Sequence, residues 1–467
     1  MKQRVVVAFV LLLVPIASAQ VYTITDLGPL SPTAINTWGQ VVGNLNGHAF
    51  IWAKSQGMRD LGTLTGGTLS SAAAINDLGA VTGTADGPAT VVGRGYTQQC
   101  SDLTQPFIWT RGNGMQGLGA VGGPDSDPFD WCNTPFYATG INDFSQVVGY
   151  DEIYLNDYQF GFLWTSADGM TLFGGSWPPT FANKISNTGQ IVGQNSDAAT
   201  WGIGHATSWK SGVATDLGTL GGGADVVDYA SSANGVNDLG QVVGWSTTTS
   251  VSGGAFGWCG SSAHAVIWTG GGGIRDLGTL PGDTLSAALK INFFGQVLGS
   301  SGNAATCGIS RYEVFGRPFI WSERNGMRDL NTLIRASSGW VLNSVSDINL
   351  WGQIVGSGTR NGQPHGFLLT PRVFYWVRVS ATELGENSEA RERPRLSNAG
   401  AKQENRGSQP ATSSWEAASV VEECPFKSLL CNAPTPDQSF TSRFPHNKRG
   451  KGLVFGSHCA LNCALNG

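Results

Sequence analysis

Apolar and polar positions alternate along this chain in short bursts, and one burst returns seven times. It reads apolar, Asn, turn, then Gly-Gln-Val-Val-Gly or a close relative, at residues 35–43, 75–83, 141–149, 185–193, 236–244, 291–299 and 348–356. Counted from the second residue of each copy, the steps are 40, 66, 44, 51, 55 and 57, the spacing of four-stranded propeller blades. The second copy shows the predicted strands in order at 72–75, 80–82, 106–109 and 115–118. Elsewhere the third strand recurs as His48-Ala49-Phe50-Ile51-Trp52, His264-Ala265-Val266-Ile267-Trp268 and Pro318-Phe319-Ile320-Trp321. The fourth is predicted at Asp60-Leu61-Gly62-Thr63-Leu64, with matches at 216–220, 276–280 and 329–333. Runs that are apolar on both alternating sides suit a sheet covered on both faces, as a blade stacked between blades is.

The joint between the first two strands is Asn-Asp-Leu-Gly or a relative. Asn and Asp can bond their own backbone and Gly supplies a positive φ, so a tight hairpin turn is predicted. Ser145 stands where the third copy should have that Gly, which predicts a distorted turn there. A calcium ladder is the competing reading of these acids. A metal cage needs more oxygens per site, so no metal and no cofactor are expected.

The two ends of the array are complementary. The seventh copy runs through its third strand at 365–369 and lacks a fourth, while an orphan fourth strand, Thr25-Asp26-Leu27-Gly28-Pro29-Leu30, precedes the first anchor. Joining them hides the edges of an open array, with Pro29 placed in an outermost strand where a missing N–H costs least. The expected fold is all-β: a seven-bladed β-propeller of four-stranded antiparallel blades, its ring closed by the N-terminal strand.

These motifs, His48-Ala49-Phe50, Ile-Asn-x-x-Gly-Gln-Val-Val-Gly and Asp-Leu-Gly-Thr-Leu, recur in one order from about Tyr22 to Pro371, and over that span the chain resembles the extracellular HAF-repeat proteins. The resemblance implies bacterial secretion and a repeat architecture, and it brings no activity or catalytic residues. Phe160-Gly161-Phe162-Leu163-Trp164 lacks the His and Leu172-Phe173-Gly174-Gly175 lacks the Asp.

Composition sharpens the picture. Residues 1–19 carry Lys2 and Arg4, an apolar run and Ala17-Ser18-Ala19, the layout of a cleaved export signal. No second apolar span follows, so an extracellular protein without a membrane span is expected. Residues 20–371 hold 24 acidic and 14 basic residues, a net of −10. Such a body lacks the footprint that phosphate backbones require, and nucleic acid is an unexpected partner. Past Pro371 the repeats stop, and 372–467 reads as a largely disordered tail carrying Cys424, Cys431, Cys459 and Cys463.

The link from third to fourth strand is short, whereas the links between second and third strands and between blades vary widely in length. Both variable links emerge on the same side of a propeller, which makes that side the expected binding face. Cysteines fall in these links, and in an exported chain Cys100 with Cys132 and Cys259 with Cys307 are expected as disulfides, worth about 3 to 4 kcal/mol each in the loop-entropy account. Of 16 tryptophans, Trp52, Trp109, Trp164, Trp209, Trp268 and Trp321 share one strand position and read as core. Trp131, Trp177, Trp201, Trp258 and Trp340 read as loop residues and are the ligand-binding candidates. His48, His205, His264 and His365 repeat in different blades, too far apart to share one metal, and read as structural. No catalytic residue is assigned. The expected function is non-enzymatic binding, by a monomer, of extracellular polysaccharide or a surface protein; the alternative is a glycoside hydrolase or polysaccharide lyase using loop acids such as Asp125 and Asp127.

Overall fold

The computed structural model describes residues 21–372 except 94–95, 122–131, 133, 153–158, 175–179, 197–203, 222–229, 249–262, 271–272 and 304–315. Residues 1–20, which include the segment read as an export signal, and the tail from 373 onward lie outside the described residues. What is described is an all-β propeller. Seven sheets have four strands and run antiparallel. Blade 1 is Ser31–Ile35, Val41–Leu45, His48–Ala53 and Gly57–Asp60; blade 2 is Ser70–Ile75, Val81–Ala85, Gln105–Thr110 and Gly114–Gly117. Blades 3 to 6 begin at Phe136–Ile141, Thr180–Ile185, Ser231–Val236 and Leu285–Ile291.

The sheets number eight, where seven were expected. The additional one has three strands, Ala89–Gly93, Tyr96–Cys100 and Ala120–Val121, with Ala120 pairing in parallel to Val91. It grows from the long link inside blade 2 and the segment leaving that blade. The insertion can form a sheet because Ala89, Val91, Cys100, Leu103 and Ala120 bury together against Phe136 at the start of blade 3.

The fourth strand also sits earlier than predicted. In blade 1 it is Gly57–Asp60, paired Trp52 to Met58 and Phe50 to Asp60. The chain leaves the sheet at Asp60, whose carboxylate accepts the Gly62 amide at 2.7 Å, and Leu61 and Leu64 turn inward to a core shared with blade 2. The apolar run Leu-Gly-Thr-Leu is thus a plug between blades, while the true edge strand is exposed throughout.

First strands of consecutive blades touch all round, the last meeting the first. Each carries a bulge three residues before the anchor's second position, which re-aims a side chain toward the next blade. Thr33 donates to the Ala72 carbonyl at 2.9 Å, Thr139 to Ala182 at 2.7 Å, Asn183 to Ala233 at 2.9 Å and Asn234 to Ala288 at 2.9 Å. Close approach here explains the final Gly of the anchor. A Cβ at Gly43 would lie 2.2 Å from the Ser31 carbonyl oxygen, and the same collision recurs in the other six copies.

A second circuit runs through the turns. Asn36 donates to the Asn76 carbonyl, Asn76 to Asn142, Asn142 to Ser186, then Asn237 to Asn292, Asn292 to Asn349, and Asn349 back to Asn36. The step from the fourth turn to the fifth is carried by the Asn187 amide on Asp238 at 2.8 Å. Each Asn also holds its own turn, Asn36 Oδ1 accepting from the amides of Trp38 and Gln40. This side-chain bracing corrects the distortion expected at Ser145. That residue adopts φ 58 and donates its amide to the Asn142 carbonyl at 3.0 Å, in the same turn that glycine makes elsewhere.

Closure joins the two ends of the described chain. Blade 7 consists of Trp340–Ile348, Ile354–Arg360 and Gln363–Pro371, completed by Tyr22–Gly28. The pairing runs from Tyr22 opposite Pro371 to Gly28 opposite Gly366. Pro29 lies just beyond this strand, not within it.

Candidate functional site

The link-rich side keeps one of its predicted features in view. Cys100 and Cys132 form a disulfide with Cα atoms 5.3 Å apart, tying the three-stranded sheet to the segment entering blade 3. Cys259, Cys307, Trp131, Trp177, Trp201, Trp258, Asp125 and Asp127 lie outside the described residues. Trp340 requires a correction as a ligand-binding candidate. It begins the first strand of blade 7 and is buried, its ring edge-on to His365 and Phe367 at 6.1 Å; it belongs to the core because the strand starts earlier than the loop reading assumed.

The repeated histidines find partners that the sequence presents as a separate motif. His48 Nδ1 is 2.9 Å from Asp60, His205 is 2.7 Å from Asp216 and His264 is 2.7 Å from Asp276. His365 is 2.8 Å from Asp26, across the closure. Histidine lies in the first three residues of the third strand and Asp in the last three of the fourth, and antiparallel pairing brings them together. Burial would raise the Asp26 carboxyl, but hydrogen bonds from the Gly28 amide, His365 and Arg360 outweigh it and hold the group below its ordinary range. Blade 6 puts Arg317 against Asp329 instead. The third blade, which lost His and Asp together, has neither half of the pair to leave unmatched.

A cleft of about 890 Å³ lies between blade 2, its inserted sheet and blade 3, lined by Pro88, Thr90, Gln105, Met115, Asp168 and Met170 among others. Gln105 is fully used, bonding the Pro88 carbonyl and the Gly119 amide, and Asp168 accepts from Thr165. Among the described residues no group of three or more His, Cys, Asp or Glu side chains could hold a metal ion, and no helix is long and apolar enough to cross a membrane.

The feature that sequence reasoning missed is on the other side. At the tip of the first turn in six blades stands a large apolar residue: Trp38, Leu78, Phe144, Leu239, Phe294 and Trp351, each 59 to 76% exposed. Thr188 takes the place in blade 4. Blades 6, 7 and 1 are neighbours, so Phe294, Trp351 and Trp38 make an aromatic arc. The Trp38 indole N–H donates to the Asp77 carbonyl at 2.8 Å, which fixes that ring. Carboxylates lie in the same turns as this crown of apolar tips, where Asp77 accepts from the Thr37 amide, Asp143 from the Asp77 amide and Asp238 from the Asn187 amide. The signal was visible in the turn motif itself, because a solvent-exposed hairpin tip that is Trp, Leu or Phe in six of seven copies departs from ordinary turn chemistry.

No family model matches this chain, and no curated protein matches it. Solved structures with a similar course include oligogalacturonate lyase in complex with manganese (TM-score 0.42, 10% identity, covering 75% of this chain and 93% of that one). A chain of the mitotic checkpoint complex (0.39, 10%, 78% and 98%) and a putative gluconolactonase (0.35, 7%, 75% and 92%) are similar to the same degree. Likenesses of this size specify neither ligand nor chemistry.

Proposed function

We propose that this chain is a secreted, non-enzymatic binding module, a seven-bladed propeller with its eighth sheet grafted onto blade 2, that engages extracellular glycan through the crown. The observation that carries the reading is six large apolar side chains exposed at one repeated position. Leaving each unburied forgoes about 1.5–3 kcal/mol of hydrophobic stabilisation, and an exposed apolar patch rimmed by polar groups marks a contact surface. Sugar rings present C–H faces to aromatic planes and hydroxyls to acceptors, and the crown supplies Phe294, Trp351 and Trp38, with Asp238 and Asp77 on the two blades that flank this arc. The contact surface therefore moves from the link-rich side to the turn side. A disulfide at Cys100 and Cys132 fits an oxidising, extracellular setting.

The test is a glycan array probed with the whole protein and with a Trp38→Ala/Trp351→Ala variant. The wild type should retain a subset of glycans without releasing reducing ends or unsaturated products. Aromatic anchors at the centre of a contact typically carry about 2 kcal/mol or more, so the variant should bind about 30-fold more weakly, with stability lowered by about 1 kcal/mol or less, because both rings are on the surface and only the exposed bond from Trp38 to Asp77 is lost. Undiminished binding by the variant would remove the crown from the account, and product release would replace binding with catalysis. Capture of a surface protein with no glycan retained would assign the crown to a protein partner.

A further inference from the structure

Two lysines in the innermost strands have no ion-pair partner among the described residues. The residue two before each anchor's second position occupies equivalent places around the axis: Ala34, Ala74, Gly140, Lys184, Gly235, Lys290 and Asp347. Five of the seven are small or acidic, and the two cations stand on blades 4 and 6 with only Gly235 between them. First strands approach closely here. A Cβ on Gly235 would lie 3.3 Å from Lys290 Cα, and one on Gly140 would lie 3.4 Å from Lys184 Cα, so glycine precedes each lysine around the ring and leaves its stem room. The Lys184 charge acts on the Lys290 ammonium, and Asp347 on blade 7 opposes that effect. Asp347 is itself engaged by the Ile35 amide at 3.1 Å, and neither lysine is within ion-pair distance of an acid among the described residues.

Such an arrangement costs stability. Burial and the Lys184 charge push the Lys290 ammonium down to about 8 although part of its surface stays open to solvent. A poorly solvated ammonium with a second cation nearby and no ion-pair partner is expected where a ligand supplies the missing counter-charge. Both lysines lie two residues before the second position of their anchors, in first strands that touch one another all round the ring. The rest of the body is acidic, so these two cations stand out against it.

We propose that Lys184 and Lys290 form an anion site that receives the acidic group of a carboxylate- or sulfate-bearing sugar entering from the crown side. This rests on the glycan reading above and narrows it to anionic glycans. The site distinguishes glycans by charge, while the aromatic arc holds the sugar ring.

The experiment compares the whole wild-type protein with Lys184→Met/Lys290→Met and Lys184→Arg/Lys290→Arg variants. The probes are a uronate oligosaccharide, a sulfated oligosaccharide and a neutral oligosaccharide, with melting temperature recorded for every protein. Methionine keeps the stem and deletes the charge, so the Met variant should melt no lower than the wild type. It should bind the acidic probe about tenfold to a hundredfold more weakly, with neutral binding unchanged and acidic binding largely kept in the Arg variant. Preference between the uronate and sulfated probes tells which acid group is taken. Equal binding of acidic probes by wild type and Met variant, or failure of both acidic probes to bind the wild type at millimolar concentration, would overturn the anion site. In either case retained neutral binding that is lost in the Trp38→Ala/Trp351→Ala variant leaves the crown standing, so the two failures are separable.

Discussion

Deleting residues 20–30 should remove the cooperative unfolding transition of this protein or lower its midpoint severely. The deleted segment supplies the fourth strand of blade 7, which pairs with Gln363–Pro371 along its length. It also buries Tyr22 against blade 7 and Leu27 and Leu30 between blades 7 and 1. At about 1.5–3 kcal/mol per side chain, those three alone account for roughly 5 kcal/mol or more, comparable to the whole net stability of many domains. Asp26 leaves with them, stranding His365 and Arg360, which bond it across the closure. Chemical denaturation followed by fluorescence is the measurement. A truncated protein with an unchanged midpoint and slope would show that the ring does not need its first strand.

The second large effect is in the response to pH. Asp151 ends the second strand of blade 3 with one carboxylate oxygen accepting the Phe160 amide at 2.6 Å and the other buried with no hydrogen-bond partner among the described residues. Burial raises this group from 3.8 to about 7, against the lowering effect of the Phe160 amide and its own. Because the folded value lies above the unfolded one, the folded state binds the extra proton. The stability Asp151 contributes is fully present below about 3.8 and is lost as pH rises to about 7. Relative to Asp151→Asn, which does not titrate, the wild type should lose ~4 kcal/mol between about pH 4 and pH 8, since each tenfold difference in proton affinity between the folded and unfolded states is worth about 1.4 kcal/mol. Comparing the two proteins cancels other groups that titrate in the same interval. A constant difference across that range would mean that Asp151 is solvated after all.

Much of the propeller is legible in the residues, for identifiable physical reasons. The anchor is a packing requirement in every copy: its Asn braces a turn and reaches the next one, and its last Gly yields to a bulged neighbour's carbonyl. The strand shared between the chain ends is legible because a fourth-strand motif without its blade stands opposite a blade without its fourth strand. Misplacement of the fourth strand has the opposite cause. Gly57–Asp60 is an exposed edge, so its pattern is weak, whereas Leu61 and Leu64 are buried after the chain has left the sheet; hydrophobicity marks burial there, not strand. The three-stranded sheet in blade 2 was hidden for a similar reason, since short strands inside a long link carry no repeat.

The candidate surface was less legible than the fold. Counting tryptophans in variable links selected Trp340, which a strand start buries, and passed over Trp38 and Trp351, which stand in the short recurrent turn. Position in a repeat identifies what is common to all copies. It does not show that the third residue of a turn points to solvent, because that depends on the Asn holding the turn from beneath. The His and Asp motifs show the same limit, since they are far apart in each repeat and become one pair only through the register of two strands.

The crown, the axial lysines and the assignment of two sides all depend on the ring being closed by its own first strand. The direct measurement is cross-linking in a Thr23→Cys/Thr370→Cys variant, whose two positions are register partners in that pairing. After oxidation of the folded protein and digestion, mass analysis should recover one peptide from each end of the domain joined through these two cysteines. Free thiols at both positions in folded protein, or cross-links to other cysteines in their place, would contradict the closed ring.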